Sequence, residues 1–209
     1  MSFELWLAFV AASTALLMIP GPTVLLVLSY ALSKGRSVAV ASAAGVALGD
    51  LVAMVASLAG LGALVLASAT AFTLLKWAGA VYLIWLGIKL IRSAPSQGLA
   101  VPQAHDVTAG SVFGHAATVT ALNPKSIAFF IAFVPQFIDP AAAFVPQAAI
   151  LVATFVTLAA VNAFIYALAA DRLRQFITRG GVITWITRAG GATLIAMGVL
   201  TATLKRATP

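Results

Sequence analysis

Residues 13–29 read STALLMIPGPTVLLVLS, with Pro20, Gly21 and Pro22 in the middle of an apolar run. Inside a helix, proline costs about 3 kcal/mol and glycine about 1 kcal/mol relative to alanine. A plain core helix gains nothing from such a triplet. The stretch around it, residues 5 to 33, holds 29 residues without a charge. One helical crossing of a bilayer takes about 20. The run is therefore long enough to be interrupted and still span, which predicts a broken membrane helix.

Composition agrees on the solvent. Hydrophobic residues make up 62% of the 209 and charged residues only 8%, with a mean hydropathy of +1.09. An ordinary soluble domain is about one-quarter charged. The chain is read as one membrane domain over residues 1–209, with no room for a soluble partner domain. Its net charge of +7 carries no cluster of basic residues with exposed aromatics, so a nucleic-acid partner is not expected.

Charge-free runs place six spans, at about 5–33, 37–66, 70–91, 111–137, 141–170 and 182–204. A polar loop lies at about 93–110. The opening MSFELWLAFV has no basic region of the signal-peptide kind and runs straight into apolar sequence, so it is expected to stay on the mature protein. No cysteine is present, which excludes disulfides and thiolate metal sites. If the first connection is cytoplasmic, that side receives Lys34, Arg36, Lys89, Arg92, Arg172, Arg174, Arg179 and Arg188, and the other side only Lys76, Lys205 and Arg206. The excess of basic residues on the cytoplasmic side predicts that both termini lie outside.

An internal repeat is visible. LLKWAGAVYLIWLGI (74–88) lies over WITRAGGATLIAMGV (185–199), matching Ala78, Gly79, Leu83, Ile84 and Gly87 to Ala189, Gly190, Leu194, Ile195 and Gly198. Pro22 falls on Pro124 in a second alignment, so the break in the first span has a counterpart at ALNPKS, residues 121–126. Halves of three spans each must face opposite ways across the membrane. The expected fold is thus an all-α integral membrane protein of six transmembrane helices, arranged as two inverted three-helix repeats with the first and fourth helices broken. Interrupted segments at matching places in two such halves point to a transporter's binding site.

Two charges lie deep inside the spans, away from their ends. Asp50 is about 20 Å of helix from the start of the second span, and Lys125 follows the Asn123-Pro124 break in the fourth. Each costs about 2.5–3.5 kcal/mol to insert, so both should face the bundle interior. Ser42, Asp50 and Ser57 share one helix face, and Gly45 and Gly49 form a small-xxx-small contact surface. Two readings stand side by side. Asp50 and Lys125 form a structural ion pair between the halves, or Asp50 receives a substrate ammonium while Lys125, with amide groups at the breaks, receives a carboxylate. The second suits a zwitterion, and Asp50 could also carry a coupling proton.

Other polar positions are less telling. Asn123 and Asn162 either line a cavity or bond a neighbouring helix. His115 reads as an interfacial residue, and His105 with Asp106 as solvated loop, with no third ligand for a metal. Trp6, Trp77, Trp85 and Trp185 read as interface anchors, with Tyr82 and Trp85 more deeply placed. No nucleophile–base pair or metal set occurs in the spans, which argues against an intramembrane enzyme. A channel or a purely structural membrane protein remains an alternative.

Four segments carry a family resemblance: Pro20-Gly21-Pro22 followed by TVLLVLSYALSKGR, then GVALGD (45–50), LKWAGAVYLIWLGIKLIR (75–92) and LNPKSIAFFIAFVPQFIDP (122–140). Together, over about residues 5–204, they resemble the lysine exporter (LysE) superfamily, in its branch of homoserine and threonine resistance exporters (RhtB). The resemblance implies secondary active export of amino acids or related small metabolites across the bacterial inner membrane, coupled to proton entry, with no cofactor. It implies importance for Asp50, for Pro20 with Gly21 and Pro22, and for Asn123 with Pro124 and Lys125. Substrate identity does not carry over, and Thr23 is a position where members of the family differ. Relatives that handle small cations leave export of a cation or another metabolite as an alternative. The small-residue faces would permit a homodimer.

Overall fold

The computed structural model describes residues 1–19, 21–34, 36–94, 108–139, 142–170 and 180–203. Pro20, His105, Asp106, Arg172, Arg174, Arg179, Lys205, Arg206 and most of the polar loop lie outside them. All regular structure among the described residues is helical: α1 (Phe3–Met18), α2 (Pro22–Lys34), α3 (Arg36–Ala67), α4 (Ala69–Arg92), α5 (Ala109–Ala121), α6 (Pro124–Ala132) with a short 3-10 turn at Val134–Phe137, α7 (Phe144–Leu168) and α8 (Gly180–Thr203).

Four of these helices contain stretches long and apolar enough to cross a membrane: Ser37–Ala63, Thr73–Arg92, Phe144–Leu168 and Gly181–Thr203. Two bent pairs could supply two more crossings. Phe3–Met18 meets Thr23–Leu32 at 58°, and Ala109–Ala121 meets Pro124–Phe137 at 46°. The molecule is an all-α membrane protein with four to six spans, some of them bent.

The second break follows from local chemistry. Proline has no N–H to give a preceding turn, and its ring pushes the residue before it out of the α region. Asn123 is accordingly extended (φ −70°, ψ 111°), ending α5, and its side chain accepts a hydrogen bond from the Lys125 amide, capping α6 with Pro124 in the first turn. Ile19, which precedes Pro20, is extended in the same way (φ −68°, ψ 118°) and ends α1.

Large apolar side chains face outward on α3 (Val52, Val55), α4 (Leu74, Val81) and α7 (Val161, Ile165), as a lipid-facing surface requires. The interior is aromatic and aliphatic. Phe129, Phe130, Phe155, Leu83 and Leu194 are fully buried in one cluster, with Phe130 and Phe155 edge to face at 4.8 Å. Gln147 ties down the turn before α7. Its side chain accepts from the Asp139 amide and donates to the carbonyls of Asp139, Ala142 and Ala143, leaving no buried polar atom of that amide idle.

Several helices meet backbone to backbone at glycine. A Cβ on Gly49 of α3 would lie 2.5 Å from Ala117 O of α5, and one on Gly45 would strike Phe113 O. Between α4 and α8, a Cβ on Gly87 would lie 2.5 Å from Gly191 O, and one on Gly198 2.7 Å from Ala80 O. Gly79 of α4 sits against Ala132 at the end of α6, and Gly190 of α8 against Ile19. These approaches are closer than any side chain would permit.

Candidate functional site

The break in α1 leaves carbonyls at the end of the helix without amide partners from a next turn. In a membrane each must find a partner within the protein. Here Leu16 O accepts the Ile19 amide at 3.2 Å, and further donors come from α6 and α7. Lys125 Nζ donates to Leu16 O at 3.1 Å and to Ile19 O at 3.2 Å, and Asn162 Nδ2 donates to Leu17 O at 3.3 Å. A positive charge at the C-terminal end of a helix is also favoured by the helix dipole. Gly21 lies beside the ammonium: a Cβ there would be in ordinary contact with Lys125 Nζ, at 3.6 Å.

The second break is tied to α2. Thr23 Oγ1 accepts from Asn123 Nδ2 at 3.3 Å and lies 3.4 Å from Thr120 Oγ1. Thr23 follows Pro22 as Lys125 follows Pro124. The residue after each proline therefore reaches across to the other break.

Between the two breaks lies a cavity of about 30 Å³, counted as the volume open to the centre of a water-sized sphere. About 10–15 Å³ by this measure holds one water, so the space takes a few waters and no amino acid. Asp50, Asn123, Lys125 and Asn162 all line it, together with Thr23 and Thr120. Val24, Val27, Val46, Ala159 and Ala163 form its apolar wall. Asp50 is only 2% exposed, and its Oδ1 has no hydrogen-bond partner. The ammonium of Lys125 shares the cavity with this oxygen yet bonds to helix carbonyls instead.

The remaining positions fall elsewhere. His115 Nδ1 and Tyr30 OH are 2.7 Å apart, joining an exposed position of α5 to the buried Tyr30 of α2, away from the cavity. Tyr82 and Trp85 pack on each other at 5.5 Å and do not line the cavity. Trp6 Nε1 donates to Thr154 Oγ1 at 3.0 Å, while Trp77, Trp85 and Trp185 are at least half exposed. Ser42 is buried and donates to Ala39 O. Among the cavity's lining residues, Thr120, Ser126 and Tyr166 were not singled out in the sequence. Their only signal there is position: Thr120 and Ser126 flank the Asn-Pro break, and Tyr166 lies one turn beyond Asn162.

Asn162→Leu tests the bonding at the first break. It leaves the part-buried Leu17 O without this donor, a loss of up to about 1 kcal/mol where the bond was worth most. The thermal midpoint of the detergent-solubilised protein is expected to fall. An unchanged midpoint would mean that water or another group replaces the amide.

A polar, charge-bearing cavity between interrupted helices, enclosed by an apolar exterior, defines a multi-pass membrane transporter of small molecules. The chain belongs to the LysE type translocators, whose family model matches residues 14–205. It is 36% identical to a homoserine/homoserine lactone efflux protein of Salmonella typhimurium, over 99% of this chain and all of that one. It is 35% identical over 98% of its length to the whole of a Vibrio cholerae chain described only as a membrane protein. Identity to a leucine efflux protein of Klebsiella pneumoniae is 31%, covering 64% of this chain and 63% of the relative. No solved structure matches. At the level of the family, the chain is a secondary transporter of small metabolites across a membrane and not an enzyme.

Proposed function

We propose that the protein exports amino acids or closely related amines across the bacterial inner membrane in exchange for protons, by alternating access around its two broken spans. Asp50 carries the reading: it is a buried carboxylate with an unpartnered oxygen in a cavity shared with Lys125 and the freed end of α1. Homoserine, homoserine lactone and leucine, which name the substrates of the relatives, differ in side chain. The lactone lacks a free carboxylate. What the three share is a primary amine, and a carboxylate is the side chain that receives an ammonium or a proton in a low-dielectric site. In this reading Asp50, Lys125, Asn123 and Asn162 form the substrate and coupling site, and the segments at Pro20, Gly21, Pro22 and Pro124 supply its backbone groups.

Two inverted repeats are part of the proposal. Support comes from the reciprocal reach of Thr23 and Lys125 and from the packing of α3 on α7 and of α4 on α8, the spans that a two-fold axis would pair. The proposal also has both termini outside, on the ground of the basic residues in the connections, and a homodimer through small-residue faces is compatible with it.

The test is an efflux panel. Cells lacking their own exporters are loaded with dipeptides, and each amino acid appearing outside is followed with and without the protein. Selective release of a few neutral amino acids, reduced when a protonophore collapses the proton gradient, is the expected outcome. Release of none by well-inserted protein would overturn the amino-acid reading, and release indifferent to the protonophore would overturn proton exchange.

A further inference from the structure

We propose that Lys125 is a tethered ammonium: in the unloaded protein it occupies the carbonyl cradle at the end of α1 that a substrate's ammonium takes during transport. The proposal rests on the exporter reading and names the atoms that would hold the amine.

The cradle has the chemistry of an ammonium site. Leu16 O and Ile19 O converge on one nitrogen at 3.1 and 3.2 Å, at the negative end of a helix dipole. Backbone carbonyls offer no preference among side chains, so they suit amines that differ beyond the α-carbon. They are also neutral, so a cation held there keeps its full charge and gains only dipole and hydrogen-bond energy.

The same cavity holds a stronger acceptor that the lysine does not use. Asp50 Oδ1 is buried and unpartnered, while Lys125 bonds elsewhere. One cation thus faces two acceptors, the cradle and the carboxylate. The titratable groups lining the space are Asp50 from α3, Lys125 from α6 and Tyr166 from α7. With a proton on Asp50, the lysine rests on the cradle and blocks it. With Asp50 ionised, the opposite charge draws Lys125 over, and the cradle is open to a substrate amine. One proton enters on Asp50 as one substrate leaves: for a substrate charged only at its amine the charge of the cavity is unchanged, and for a zwitterion the empty cavity carries one more positive charge than the loaded one. The cavity is too small to hold the lysine head and a substrate on the cradle together.

Such a tether matters most when the protein returns empty. Without it, the Ile19 carbonyl would cross the occluded state with no donor, and the Leu16 carbonyl would keep only the Ile19 amide. During exchange of substrate for substrate the cradle is filled both ways. Purified protein in liposomes separates the two modes: net efflux of a substrate from the panel against its exchange for unlabelled substrate. For Lys125→Gln, net efflux is expected to fall at least tenfold further than exchange. Lys125→Arg, which keeps a cation, is expected to narrow that gap. Equal loss in both modes would overturn the tether and leave Lys125 as a substrate-carboxylate ligand or a structural residue.

A second measurement needs no variant. On the wild-type protein, n-butylammonium is expected to compete with substrate for export and butyrate is not. Competition by butyrate alone would overturn the proposal. Failure of the wild-type liposomes to move any amino acid would instead sink the exporter reading itself.

Discussion

Asp50→Asn is expected to abolish export while leaving the protein folded and inserted. Asparagine matches aspartate in shape but carries no charge and takes no proton at neutral pH. Oδ1 makes no hydrogen bond in the folded state, so none is lost there on substitution. Relieving a buried carboxylate of its charge should leave stability unchanged or slightly raised. Transport should respond differently. With no carboxylate to take the substrate's ammonium or the proton, the efflux rate is expected to fall about a hundredfold or more, which corresponds to about 3 kcal/mol at about 1.4 kcal/mol per decade. Initial efflux rates normalised to membrane-inserted protein, with thermal midpoints in detergent, decide the matter. Normal efflux by well-inserted Asp50→Asn would remove Asp50 from the site.

The other large effect is expected from Gly49→Leu, through packing. Even the first carbon of a side chain at Gly49 would lie 2.5 Å from Ala117 O and 2.7 Å from Thr120 Cβ, so α5 would have to move away from α3. Overpacking typically costs about 1–3 kcal/mol, and a leucine demands more room than the smallest such insertion. The displaced Thr120 would also pull on the Thr23–Asn123 cluster beside the cavity. A sharp fall in folded, monodisperse protein is the expected result. Gly60→Ala and Gly114→Ala serve as controls, because nothing lies within 4 Å of a Cβ at either position. A control that destabilises as much as Gly49→Leu would show general intolerance of change and not close approach.

The membrane architecture was legible because lipid punishes charge. Runs without Asp, Glu, Lys or Arg outline the spans, and the few charges inside them stand out. That same penalty makes Asp50 and Lys125 conspicuous in the sequence, and the structure brings both to one cavity with Asn123 and Asn162. The partner of Lys125 was not legible. The obvious candidate in the sequence is Asp50, the opposite charge deep in a span, yet the lysine bonds to the carbonyls of Leu16 and Ile19. Backbone acceptors carry no letter, and which of them are free depends on where a helix stops. Thr23 and Thr120 were obscured for a related reason. A threonine inside a span commonly bonds its own helix, as Thr118 does to Gly114 O. Only the crossing of α2 and α5 turns these two hydroxyls toward each other.

The glycine approaches sort the helices into two groups. Through Gly45 and Gly49, α3 is fastened to α5. Through Gly79, Gly87, Gly191 and Gly198, α4 is fastened to α6 and α8. Where a glycine faces a backbone carbonyl there is little room to repack, so each group can be taken as one slab. The fourth span begins in one slab with α5 and finishes in the other with α6. The first does the same in reverse order, since Ile19 at the end of α1 is wedged on Gly190 of α8 while α2 lies on α3. In the proposed alternating access, the two interruptions are where one slab would be hinged to the other. Turning the backbone at Gly21 and at Leu122–Asn123 would change the angle between the slabs without unwinding a helix or prising a seam apart.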